Sequence, residues 1–148
     1  MKRFVIAVII VILAGVGYYL LSPLFIERPV NERIEDLMKG KETATTLATG
    51  QFVGLKGHSA TGTARLIEIN GMTYLRFDDD FRVTNGPDVY VYFGKDGAYR
   101  KDAQIAALKG NSGGQNYEIP ADITPGDYNE VWVWCRAFSV PFGMAVLK

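Results

Sequence analysis

Few side chains in this sequence combine reactivity with an informative position. Among its 148 residues there is one cysteine, Cys135, and one histidine, His58. A single thiol and a single imidazole exclude a zinc finger, an intrachain disulfide framework and a multi-histidine metal centre. Cys135 sits in the run Val131-Trp132-Val133-Trp134-Cys135-Arg136-Ala137-Phe138. The two-residue period of a strand groups it with Val131, Val133 and Ala137, a face of small apolar side chains suited to a core. In such a place a cysteine packs as a small hydrophobe, protonated and inert. Redox or ligand chemistry needs the thiolate, hence a neighbouring cation or a metal. Arg136 is adjacent in sequence but projects to the opposite face. The residues alone leave both readings open.

His58 stands in Gly57-His58-Ser59-Ala60-Thr61-Gly62 and so belongs to a loop. A lone loop imidazole is ordinarily a surface or turn-bonding group; the sharper reading makes it a ligand beside Cys135, Met72 or Met144, or half of a Cys–His dyad. A serine hydrolase built from Ser59, His58 and Asp88 lacks any nucleophile-elbow pattern. Asp78-Asp79-Asp80 reads as a solvated turn, with a calcium site completed by Asp88 as the alternative. The spacing is not that of an EF-hand loop, and Asp88, after Pro87, suits bonding to turn amides. Gly110-Asn111-Ser112-Gly113-Gly114 lacks the Gly-Lys-Ser/Thr ending of a phosphate loop. Trp132, Trp134 and Phe138 fall on one strand face and Tyr90 and Tyr92 on another. Such stripes belong to a core, or, if exposed, to a platform for a glycan or a partner protein.

The elements that hold these residues divide the chain in two. The totals of 16 basic and 16 acidic side chains balance, so the chain is not a basic nucleic-acid binder. The balance hides an uncharged run from Phe4 to Leu21, with Lys2 and Arg3 before it. Eighteen apolar residues span about 27 Å as a helix, and continuation to Ile26 reaches the ~30 Å of a hydrocarbon core. The run is longer than a signal-peptide core and no A-x-A site follows it. The expectation is an uncleaved signal-anchor over 1–26 in the cell membrane, with a cytoplasmic N-terminus and an extracytoplasmic C-terminal domain. Residues 27–49 read as a polar stalk or linker. Within it, Ile34, Leu37 and Met38 have helical spacing, with Asn31 as a cap and Gly40 as a stop. From 50 to 148, short alternating runs bounded by Gly, Pro, Asn or Asp predict an all-β fold, an antiparallel β-sandwich of about seven to nine strands. Asn70-Gly71 predicts a type I′ hairpin. Residues 101–109 fit a short helix or a strand equally.

Four blocks in order, GHSATG, NGPDVYVY, GNSGGQNYEIP and VWCRAFSVPFG, resemble the DM-thirteen domain, an electron-transfer domain often found beside DOMON domains. The resemblance covers about Gly50 to Leu147. It implies a β-sandwich and a redox role for the family's characteristic cysteine, which maps onto Cys135. That cysteine would act as a bare thiol or as ligand to a haem-like prosthetic group, with His58 as a further ligand candidate. The implied function is that of a membrane-anchored electron-transfer module needing an unidentified redox partner. The competing class is a non-enzymatic surface module that binds a protein or glycan, with Cys135 structural.

Overall fold

The computed structural model describes residues 2–38, 40 and 43–148, apart from the side chains of residues 23–25. Helix α1 (Lys2–Phe25) is apolar after Lys2 and Arg3, and none of its 2–22 stretch is buried against the rest of the chain. It is long and apolar enough to cross a membrane, a property that signal sequences share.

Among the described residues ten strands follow: β1 (Thr45–Gly54), β2 (Ala60–Thr61), β3 (Thr63–Ile69), β4 (Met72–Phe77), β5 (Arg82–Val83), β6 (Val89–Lys95), β7 (Ala98–Ala107), β8 (Gln115–Glu118), β9 (Glu130–Cys135) and β10 (Val140–Val146). Eight form one antiparallel sheet in the order β7-β6-β9-β10-β1-β3-β4-β8, while β2 and β5 pair separately. The all-β reading therefore holds, and the main sheet falls within the expected strand count. The sheet curls about β1, which serves both halves. Its residues 45–51 pair with β3 and its residues 52–54 pair with β10. The β3-β4-β8 half then closes over the β10-β9-β6-β7 half. Between them lies one core containing Phe52, Leu75, Phe77, Phe81, Val91, Phe93, Val131, Val133 and Phe142. The rings of Phe52, Phe77 and Phe81 meet at 4.6–5.0 Å.

The β3–β4 hairpin turns at Asn70 and Gly71, with φ of 51° and 76°, the paired positive values of a type I′ turn. Residues 101–109 resolve as strand through Ala107: Ala103 and Ile105 alternate into the core while the segment pairs with β6. Strand β1 begins at Thr45, inside the Thr- and Ala-rich run that read as linker. Strand β9 stops at Cys135, so Ala137 and Phe138 do not continue its faces. They lie instead in an exposed turn, 136–139, that leads into β10.

Residues 28–38 are bonded to the sheet. The expected helix there is one 3-10 turn (Ile34–Leu37), begun at Arg33, whose N–H donates to Asp36 Oδ2 at 2.6 Å. Ile34, Leu37 and Met38, with Ala44, cover Ile67, Ile69 and Tyr74 on the outer face of the β3–β4 hairpin.

Candidate functional site

Cys135 is the last residue of β9. It stands opposite Val89 of β6 and Val140 of β10, and its exposure is 0%. Val131 and Val133 accompany it into the core, as the strand period predicts. The nearest cation in sequence is engaged elsewhere. Arg136 pairs with Asp88 (Nε to Oδ2, 3.2 Å), and its guanidinium lies 3.6 Å from the Tyr90 ring centroid. The hydrogen bond to Asp88 raises the Arg136 pKa above its ordinary value. Asp88 also accepts Arg136 N–H at its backbone oxygen (2.9 Å), so the start of β6 and the end of β9 are tied together.

His58 lies half-buried in the turn after β1. Its N–H donates to Leu55 O at 2.9 Å, and its ring stacks on Phe142 at 4.0 Å. Phe142 is two residues along β10 from Val140, the partner of Cys135. Among the described residues no hydrogen bond joins the imidazole to Cys135, Met72 or Met144. Met72 sits at the β3–β4 turn and accepts from Tyr74 Oη at 4.0 Å; Met144 pairs with Val53 and Trp132.

The three successive aspartates are each compensated by neighbouring groups, with Asp78 and Asp79 sharing Arg76. Asp78 binds Arg65 Nη2 at 2.6 Å and lies 3.3 Å from Arg76 Nε, an ion pair without hydrogen-bond geometry. Asp79 binds Arg76 Nη2 at 3.0 Å, and Asp80 accepts from Thr63 N–H and Oγ1 at 3.0 and 2.9 Å. Among the described residues no group of three or more His, Cys, Asp or Glu side chains is placed to hold a metal ion.

Sequence reasoning assigned the tryptophans and tyrosines to separate faces without knowing which strands adjoin. In the sheet Tyr90 pairs with Trp134 and Tyr92 with Trp132. Trp134 stacks on Tyr99 at 4.1 Å, and Tyr99 meets Tyr92 edge-on at 5.2 Å. Burial raises the Tyr92 pKa, and its hydroxyl donates to Gln104 Oε1 at 3.0 Å. Among the described residues four polar side chains are buried, Arg76, Gln115, Asn116 and Glu130, and two of them tie the sheet together. Glu130 accepts from Trp132 Nε1 (2.9 Å) and Gly97 N–H (2.8 Å), fastening the β6–β7 turn to β9. Gln115, at 0% exposure, accepts from Tyr117 Oη (2.6 Å) and Gly110 N–H (3.1 Å), and donates to Gly110 O (3.0 Å). The signal available for each was a lone polar residue inside an otherwise apolar alternation.

The molecule is thus of a definite class: an antiparallel sandwich behind an apolar helix, with one sealed thiol at a strand end. A family model described as Electron transfer DM13 matches residues 51–147, and the chain belongs to that family. No curated protein and no solved structure matches it. A haem-like group does not fit around Cys135. At 0% exposure its sulfur is enclosed by core side chains, which leaves no coordination position for an iron.

Proposed function

We propose that this chain is a single-pass membrane protein whose extracytoplasmic DM13 domain takes part in electron transfer through the thiol of Cys135. The family match over residues 51–147 carries the reading. Helix α1 lies within the 1–26 anchor, and Lys2 and Arg3 at its start favour a cytoplasmic N-terminus. Residues 50–148 are the body of the head, and the 27–49 connector is docked on it from Arg28 and enters its first strand at Thr45. The position of Cys135 supports access on opening: it is the last buried residue before four exposed ones, 136–139. With that turn open, the thiolate attacks a disulfide of a partner protein. A mixed disulfide forms as the old S–S bond breaks, and the released partner thiolate leaves with the electron pair.

The 0% exposure of Cys135 favours a second reading, a non-enzymatic surface module in which the cysteine only packs. A glycan platform draws less support, because the rings that would stack on a sugar already have partners: Trp134 on Tyr99, and Tyr90 under Arg136. Alkylation of the purified full chain in detergent separates the two, with Cys135→Ala as the blank. The redox reading expects native-state labelling faster than global unfolding, since only the 136–139 turn must open. Labelling that merely tracks global unfolding makes Cys135 a packing residue and leaves the binding module.

A further inference from the structure

We propose that the end of the sandwich carrying Cys135 lies against the phospholipid headgroup layer, held there by residues 28–32; this rests on the reading of α1 as an anchor. The chain leaves α1 at Phe25 and by Arg28 is already part of the head. Arg28 N–H donates to Asn111 Oδ1 at 2.6 Å, and Asn111 N–H donates back to Arg28 O at 3.1 Å. Val30 N–H donates to Ser112 O (2.9 Å) and Glu32 N–H to Gly114 O (3.0 Å). The Glu32 carboxylate then accepts from Lys109 Nζ at 2.8 Å and Asn116 N–H at 2.7 Å.

The glycine-rich loop is shaped for this segment. A Cβ at Gly110 would strike Arg28 O, and one at Gly113, where φ is +86°, would strike Val30 O. At Gly114 it would come within 2.6 Å of Glu32 O. The buried Gln115 clamps the loop from beneath. The block that resembled no phosphate loop is the seat of the juxtamembrane segment.

Two consequences follow for orientation. Three Cα steps from Phe25 to Arg28 cover no more than about 11 Å, so the head cannot stand off on a stalk. The end that faces the bilayer is also defined. Ile26 O accepts from Asn85 Nδ2 at 3.0 Å, and a cleft of about 180 Å³ beside it is lined by Ile26, Asn85, Tyr90, Ala107 and Asn111. Val89, opposite Cys135, begins β6 at this same end. The Asp96-Gly97 turn lies at the other, about 20 Å along the strand at roughly 3.3 Å per residue. A partner reaching the Cys135 end must therefore work in the headgroup plane.

The test uses full-length chain in vesicles containing headgroup-spin-labelled phospholipid. A fluorophore is placed by brief labelling of Ala107→Cys or Ala98→Cys, exposed sites at opposite ends of β7, with the unsubstituted chain giving the Cys135 background. Quenching several-fold stronger at position 107 than at 98 is expected. Equal quenching, or stronger quenching at 98, overturns the orientation, as does self-quenching between 107 probes that persists without labelled lipid, because a second copy then covers this end. Failure of the chain to float with vesicles removes the anchor reading instead, a distinct result. Gly113→Val should free the Val30 and Glu32 amides to exchange and bring quenching at 107 toward that at 98, with tryptophan emission unchanged. Freed amides with undiminished quenching would show that this segment does not hold the head.

Discussion

Replacing Cys135 by alanine and by serine measures how apolar its site is. The sulfur is at 0% exposure among valines, and the adjoining backbone of β6, β9 and β10 is committed to strand pairing. Cys135→Ala removes one methylene-sized group, worth about 0.8 kcal/mol of transfer. It leaves a void of roughly 20 Å³, which at ~24 cal/mol per Å³ adds about 0.5 kcal/mol. Cys135→Ser keeps nearly the same volume but buries a hydroxyl with no free partner, at a cost of about 2–3 kcal/mol. With an m-value of about 1.5 kcal/mol/M in urea, the midpoint should fall by ~0.9 M for alanine and ~1.7 M for serine. Emission of Trp132 and Trp134 is the natural probe: both lie in β9, so the signal reports the sheet and not the helix. Serine as stable as alanine would refute the reasoning, since the hydroxyl would then have found water or a partner in a site taken to be sealed.

Three other outcomes follow from the polar and aromatic packing. Tyr117 is buried and its pKa is raised by desolvation; the folded state holds its proton above about pH 10 where the unfolded chain does not, so stability should fall as pH rises past that point. Tyrosinate absorbance from Tyr117 should appear only with unfolding, and an early, reversible titration of Tyr117 would contradict its burial. Gln115→Leu strands Gly110 N–H and C=O and the Tyr117 hydroxyl, and should cost about 3 kcal/mol or more in a urea titration. Gly94→Ala forces a Cβ into the indole of Trp132, separating it from Glu130; a loss of about 1–3 kcal/mol and a red-shifted emission are expected, and unchanged emission would count against the contact.

What the sequence disclosed, and what it hid, follows from which forces leave a pattern. The Asn70-Gly71 hairpin was legible because a type I′ turn needs two positive φ angles that few residue pairs accept. The burial of Val131, Val133 and Cys135 was legible because a strand's period is strict. Residues 101–109 were ambiguous because alanine and lysine favour helix while the alternation of Ala103 and Ile105 also fits a strand; pairing with β6 overrides the propensity through Ala107. The docking of residues 28–32 left little trace, because most of its bonds run between backbone groups of the segment and of a glycine loop, and backbone groups are the same in every residue. Asp78, Asp79 and Asp80 looked like a cluster because Arg65 and Thr63, which engage Asp78 and Asp80, come from β3; only Arg76, three residues before Asp79, is local.

The dual pairing of β1 also sets the order of assembly during synthesis. Residues 45–51 find β3 almost at once, since Gln51 pairs with Thr63. Residues 52–54 pair in the main sheet only with β10, where Phe52 meets Ala145 and Gly54 meets Gly143. At ~5–20 residues per second, that partner arrives roughly 5–18 s later. Throughout that interval the last three residues of β1 lack their main-sheet partner and leave an open edge, a template for pairing with other chains. The nascent chain is therefore most prone to misassembly before β10 emerges, and a holding chaperone that grips β1 would protect it best.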